Sequence, residues 1–174
     1  AAEEQASERE WTRSHALAFY VLSLTDQPWP SNVASLLYAV RDDLGATGQA
    51  YLALGLGAVD PADRRVTTLL DGLRGAAEIT ATGAQWHDTH GASWSTDVRA
   101  TAVALDALVR LAPEDALVDQ AVRWLMTARQ GDRWQTTQET AWALIALTDY
   151  LAMTGELEAD YAWGVALNGL EQAS

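Results

Sequence analysis

The residues best suited to chemistry stand in one short run, Trp86-His87-Asp88-Thr89-His90, which brings two imidazoles and a carboxylate close together. Such a set could offer a divalent cation two nitrogens and an oxygen, with a further ligand from elsewhere in the fold. No cysteine accompanies them, and two spaced histidines in a polar loop read first as solvated surface. His87 and His90 are therefore only weak metal candidates, and no cofactor is expected. The lack of cysteine also excludes a disulfide, a thiolate metal site and a thiol nucleophile within this chain. His15, set among apolar residues, reads as a packing residue. Asp42-Asp43 would suit a diphosphate-binding helix only with a second acidic motif facing it; without one it reads as a solvated helix end. Eight tryptophans could form a sugar- or lipid-binding platform. Trp124, Trp134 and Trp142 instead recur at hairpin positions, where large rings fill gaps between helices. Trp29, between two prolines, is the one expected to be partly exposed.

The strongest positioning signal is the run from Trp134 through Thr136-Thr137-Gln138-Glu139-Thr140 to Leu147. Thr136 and Glu139 form a capping box: the hydroxyl can accept the N–H at Glu139 while the carboxylate reaches back to the N–H of Thr136. Ala141, Leu144, Leu147 and Leu151 then share one helical face, expected inward, with Ala143 and Ala146 small enough for close helix approach. Thr101-Ala102-Val103-Ala104-Leu105-Asp106-Ala107-Leu108 matches Thr140-Ala141-Trp142-Ala143-Leu144-Ile145-Ala146-Leu147, and each copy has a tryptophan upstream, Trp94 and Trp134. The spacing is that of one helical hairpin, so helix pairs repeat.

Helices are expected over 8–24, 31–44, 49–58, 61–77, 97–111, 114–129 and 137–153. Leu17, Val21 and Leu24 should point inward on the first, and Val33, Leu36, Leu37 and Val40 on the second. Gly45 and Gly48 bracket a turn, and Asp60-Pro61 caps the fourth helix, whose inward residues are Val66, Leu69, Leu70 and Leu73. Residues 80–94 read as a polar irregular loop. The tail changes period: Tyr161, Trp163, Val165 and Leu167 alternate at strand spacing, and Asn168-Gly169 favours a tight turn. A lone strand is unstable, so its partners are expected beyond Ser174. This divides the chain into a helical unit over 1–155 and a linker with the start of a β-domain over 156–174.

At 174 residues the chain is long enough for one domain with a proper core, and its Ala- and Leu-rich composition favours packed helices. A net charge of −13 makes nucleic acid and anionic membrane poor partners. No apolar run reaches membrane-spanning length and no signal peptide heads the sequence. The sequence begins Ala-Ala-Glu-Glu without a methionine and ends just after a turn signal, and so reads as a piece of something longer.

The run from Trp86 to Leu167-Asn168-Gly169 resembles the C-terminal half of the helical thioester-containing domain of the α2-macroglobulin and complement family. The order of pieces carries the resemblance: Ala121-Val122-Arg123-Trp124-Leu125, the Arg129-Gln130-Gly131 turn, Thr137-Gln138-Glu139-Thr140-Ala141, then Ala143-Leu144-Ile145-Ala146-Leu147-Thr148-Asp149-Tyr150. The last two are similar to that family's Thr-Gln-Asp-Thr…Ala-Leu-x-Ala-Leu-x-x-Tyr pattern, and Met153-Thr154-Gly155-Glu156-Leu157 looks most like the bacterial branch. The resemblance implies an all-α fold, an α/α toroid forming a partial ring of alternating inner and outer helices, with a short β-strand tail. It implies a secreted or cell-envelope parent that traps proteases. The expected partners of this segment are then neighbouring domains of the same polypeptide and the target proteases. The family's thioester needs a Cys-Gly-Glu-Gln motif, which a chain without cysteine cannot supply, so no catalytic residue carries over and the segment is expected to be non-enzymatic. Trp94, Trp124, Trp134 and the residues from Thr136 to Thr140 are signature positions that act through packing.

An enzyme class shares part of the pattern. The run from Trp124 to Trp134 also resembles the aromatic-Gln-Gly-Trp repeat of triterpene cyclases, which staples an outer helix to the next inner one in the same toroid architecture. The cyclase Asp-x-Asp-Asp acid is absent, as is the zinc-binding cysteine of a protein prenyltransferase.

Overall fold

The computed structural model describes residues 2–25, 32–88, 96–157, 165–167 and 170–173, with side chains described between 12 and 157. Within these lie α1 (Ala2–Ser23), α2 (Val33–Ala39), a 3-10 turn (Arg41–Asp43), α3 (Gly45–Val59), α4 (Arg64–Ala76), β1 (Glu78–Thr80), β2 (Gly83–Gln85), α5 (Asp97–Leu111), α6 (Leu117–Ala128), α7 (Thr137–Thr154), β3 (Val165–Leu167) and β4 (Leu170–Ala173). The fold is mostly helical. α1, α3, α5 and α7 form one row, each packed on the next, while α2, α4 and α6 lie against it as a second row.

Local chemistry accounts for the best-defined ends. Thr136 accepts the N–H of Glu139 at 3.1 Å and Glu139 Oε2 accepts the N–H of Thr136 at 2.9 Å, completing the expected capping box. α7 ends at Gly155 in the left-handed region, where the N–H groups of Gly155 and Glu156 reach the carbonyls of Ala152 and Leu151. Glu139→Ala leaves the Thr136 N–H without its acceptor and should cost about 1 kcal/mol. A denaturant midpoint equal to that of the parent sequence would refute the cap assignment.

α5 is the centre of the core. Thr96 caps it by accepting the N–H of Arg99, and its residues from Ala100 to Val109 are buried on every side, because α3, α6, α7 and the hairpin surround it. Fully burying Leu105 and Leu108 contributes about 1.5–3 kcal/mol each. α3 packs closely on α1 at Gly55, where a Cβ would lie 2.5 Å from the Phe19 ring.

Several expectations change. α3 begins at Gly45, not after Gly48, and Gly48 packs inside the helix against Leu44 and Arg13. α4 is capped by Asp63, which accepts the Arg65 N–H at 2.8 Å; Asp60 instead turns the chain by accepting the Ala62 N–H. The expected inward residues of α4, Val66, Leu69, Leu70 and Leu73, are buried. On α7 the inward face is Glu139, Ala143 and Ala146, whereas Leu144 is 54% exposed and Ile145 is exposed too. Small side chains let α7 approach α5 closely, so its larger residues turn outward. α1 buries Ala16, Phe19 and Tyr20, with Phe19 seated on Gly55 of α3, while Val21 and Leu24 are exposed; on α2, Leu37 is buried and Leu36 is not.

An antiparallel hairpin, β1 with β2, runs into the stretch expected to be irregular, in the register Glu78↔Gln85, Ile79↔Ala84 and Thr80↔Gly83. In the tail, β3 pairs with β4, with Leu167 opposite Leu170, so the strand finds one partner within the chain. Asn168 and Gly169 lie outside the described residues, as do Trp29, Ser31, His90 and Trp94.

Candidate functional site

Two tryptophans define how the rows are joined. The last four carbonyls of a helix lack intrahelical donors. Leu73 in α4 and Leu125 in α6 each occupy the fourth position from their helix end. Trp86 Nε1 donates to the Leu73 carbonyl at 2.8 Å, and Trp134 Nε1 donates to the Leu125 carbonyl at 3.0 Å. The backbone N–H of Trp86 meets Thr101 Oγ1 on α5 at 3.0 Å, and that of Trp134 meets Thr140 Oγ1 on α7 at 3.2 Å. Each buried indole thus ties the end of one even helix to the start of the next odd helix. A reversal precedes each one, the β1–β2 hairpin before Trp86 and a Gln130↔Arg133 bridge before Trp134. The tryptophan expected to match Trp134 was Trp94; Trp86 makes the matching bonds.

The repeat has a third copy that the sequence reading missed. Thr47-Gly48-Gln49-Ala50-Tyr51-Leu52-Ala53-Leu54 on α3 aligns with the two copies on α5 and α7. The shared alanines Ala50, Ala104 and Ala143, and then Ala53, Ala107 and Ala146, are all fully buried. The signal was a threonine followed by alanines three and six residues later.

Of the remaining signature positions, Thr137 and Gln138 are exposed in the first turn of α7. Trp124 on α6 is half-buried against β2. Glu139 and Thr140 act through the cap and the Trp134 bond described above.

The loop histidine expected as a weak metal candidate has other neighbours. His87 Nδ1 lies 2.9 Å from Asp97 Oδ2, and Nε2 contacts Glu78 Oε2, so both ring nitrogens face carboxylates. Among the described residues no group of three His, Cys, Asp or Glu is arranged to hold a metal ion. The Glu78 hydrogen bond, with that of Asp97, raises the His87 pKa above its ordinary 6.5, and His87 in turn lowers that of Glu78. Because the folded pKa is raised, this tie from hairpin to α5 is fully present below the unfolded pKa and is lost as pH rises through the folded one. An NMR titration should place His87 above 6.5, and Glu78→Gln should bring it down. Equal values in both proteins would contradict the contact.

Beside it, Asp88 joins three odd helices and the loop. Its nearly buried carboxylate pairs with Arg13 of α1 and accepts the Thr47 hydroxyl of α3 at 3.3 Å, while its N–H meets Asp97 Oδ1 of α5. Arg99 of α5 reaches the Tyr51 hydroxyl at 3.4 Å. Tyr51 stacks on Tyr20 of α1 with ring centroids 6.2 Å apart and meets Trp142 of α7 at 5.4 Å. Burial raises the Tyr51 pKa, with Arg99 opposing.

Further along the row sits a carboxylate the sequence reading passed over. Asp106 of α5 has no solvent exposure, and its Oδ1 accepts Arg110 Nε at 2.8 Å. The same guanidinium lies 2.5 Å from Asp149 Oδ2 on α7. Desolvation first, then the hydrogen bond with Asp149, raises the Asp106 pKa to about 6 against the pull of Arg110. Its signal was a charge within a repeat phrase whose other copies carry Leu52 and Ile145 at that place.

No family model, characterised protein or solved structure matches this chain. No helix among the described residues is long and apolar enough to cross a membrane.

Proposed function

We propose that the chain is a non-enzymatic helical scaffold, an arc of an α/α toroid like the one that houses the thioester in α2-macroglobulin-like proteins. The parent would be a bacterial protease trap, secreted or held in the cell envelope. The paired tryptophan staples carry this reading. They tie the end of one helix to the start of the next in each repeated pair through buried hydrogen bonds between protein groups. Curvature is supported by the rings of Tyr51 and Trp142, which meet although α5 lies between α3 and α7 in the row. Two further intervals of about 8–10 Å, the usual helix spacing, would hold the backbones of a flat row well apart. The exposed Leu144 and Ile145 on α7 suit contact with further helices or a neighbouring domain.

A cyclase-like enzyme is the second reading, favoured by one observation: Asp106 is a buried carboxyl of raised pKa beside aromatic rings. Its complete burial against Arg110 weighs towards a structural role. The intact mass of the full-length parent after methylamine treatment, with thiols counted, tests the housing role. One adduct with one new thiol is the expected result for a thioester protected by this segment. Neither change would remove covalent tagging from the proposal and leave physical entrapment.

A further inference from the structure

The Asp106 seam does more than fill space. α7 packs chiefly on α5, and among the described residues Arg110 is the one cation that joins Asp106 to Asp149 across that contact. Two carboxylates share one guanidinium, so full ionisation leaves a negative charge uncompensated, most costly at Asp106, which is fully buried while Asp149 and Arg110 reach solvent. The oxygens show the same deficit. Asp106 Oδ2 and Asp149 Oδ2 are buried without a hydrogen-bond donor, the latter despite its closeness to Arg110. A single proton on either carboxyl supplies the missing donor and cancels the excess charge. The other groups near Asp106 are Tyr20 on α1 and, farther off, Tyr51 on α3. Among the described residues no titratable group of α6 or of the β1–β2 hairpin acts on it.

We propose that Asp106, Asp149 and Arg110 form a proton-operated latch that fastens α7 to α5 in mildly acidic conditions and loosens it as pH rises. The sign follows from linkage. A carboxyl whose pKa is higher when the seam is closed favours the closed form when protonated, so opening becomes easier as pH climbs from the ordinary carboxylate range through about 6. Loosening would release the helix that bears the exposed Leu144 and Ile145, while α3 stays in place.

Hydrogen exchange of the full 174-residue chain, corrected for intrinsic rates, reads this directly. Between pH 5 and pH 8 the opening of α7 should increase about tenfold, from the shift quoted above, while α3 changes little. Asp106→Asn supplies a permanent donor without the charge and should keep α7 protected at pH 8. Asp149→Asn, at the less buried end, should flatten the profile too and serves if the first variant folds poorly. Equal α7 protection at the two pH values overturns the latch. So does an undiminished pH dependence in the folded asparagine variants.

Discussion

Replacing Trp134 with alanine should lower the unfolding free energy by about 3–5 kcal/mol, the usual cost of emptying a buried tryptophan site. The ring is 3% exposed and its Nε1 donates to the Leu125 carbonyl, so truncation opens a cavity and strips a helix end of its donor together. Trp134→Phe separates the two effects. It keeps most of the ring volume and should cost about 1–3 kcal/mol, mainly through the unsatisfied carbonyl. Trp86→Ala should match Trp134→Ala, since Trp86 is fully buried and bonds to Leu73 in the same way. Urea or guanidinium unfolding measures all three. A Trp134→Phe protein as stable as the parent sequence would show that the indole fills space without joining the rows, and a loss below about 1 kcal/mol for either alanine variant would contradict its buried placement.

Gly83→Ala is the second large effect, and it acts through the backbone. Gly83 opens β2 at φ +132, a conformation L side chains rarely adopt. A Cβ there would stand 2.2 Å from the Gln120 carbonyl oxygen and 2.9 Å from the Trp124 nitrogen, both main-chain atoms of α6. Neither can yield unless the helix moves, so strain and overpacking add, and the loss should reach about 3 kcal/mol or more. Gly131→Ala is the internal control. Gly131 also has positive φ, +69, but a Cβ there meets nothing within 4 Å, so it should cost only about 1–2 kcal/mol. If thermal unfolding ranks the two variants equally, the close seat of the hairpin on α6 is wrong.

The parts legible in the sequence were those set by local chemistry. Thr136 and Glu139 cap α7 because their atoms meet within one turn, and the bounds of α5 follow from its own capping and the break after Leu111. Long-range contacts were harder to read. α7 carries apolar residues on more than one face, so periodicity favoured its leucines as the inward face, whereas the closeness of α5 selects Ala143 and Ala146. Gly45 and Gly48 look like turn residues, yet Gly48 is the small side of a helix contact. The short β1 and β2 strands carry no usable alternation; what holds Gly83 and Ala84 is their burial, with Gly83 seated against α6. Trp86 stood beside the histidines that drew attention as ligands, and its indole partner Leu73 is visible only once α4 is placed. Asp106 needed the third dimension as well, because Asp149 and Tyr20 come to it from other helices.

A scaffold of a protease trap makes one demand that neither a free-standing helical module nor an enzyme shares. The full-length parent should capture a protease that cleaves it. Incubation with a broad-specificity endoprotease, followed by size-exclusion chromatography, measures this directly. The expected result is limited cleavage, co-elution of the protease with the parent, and activity retained on a small peptide but lost on a large protein substrate. A protease that elutes free, with its protein-cleaving activity intact and the parent progressively digested, would contradict it.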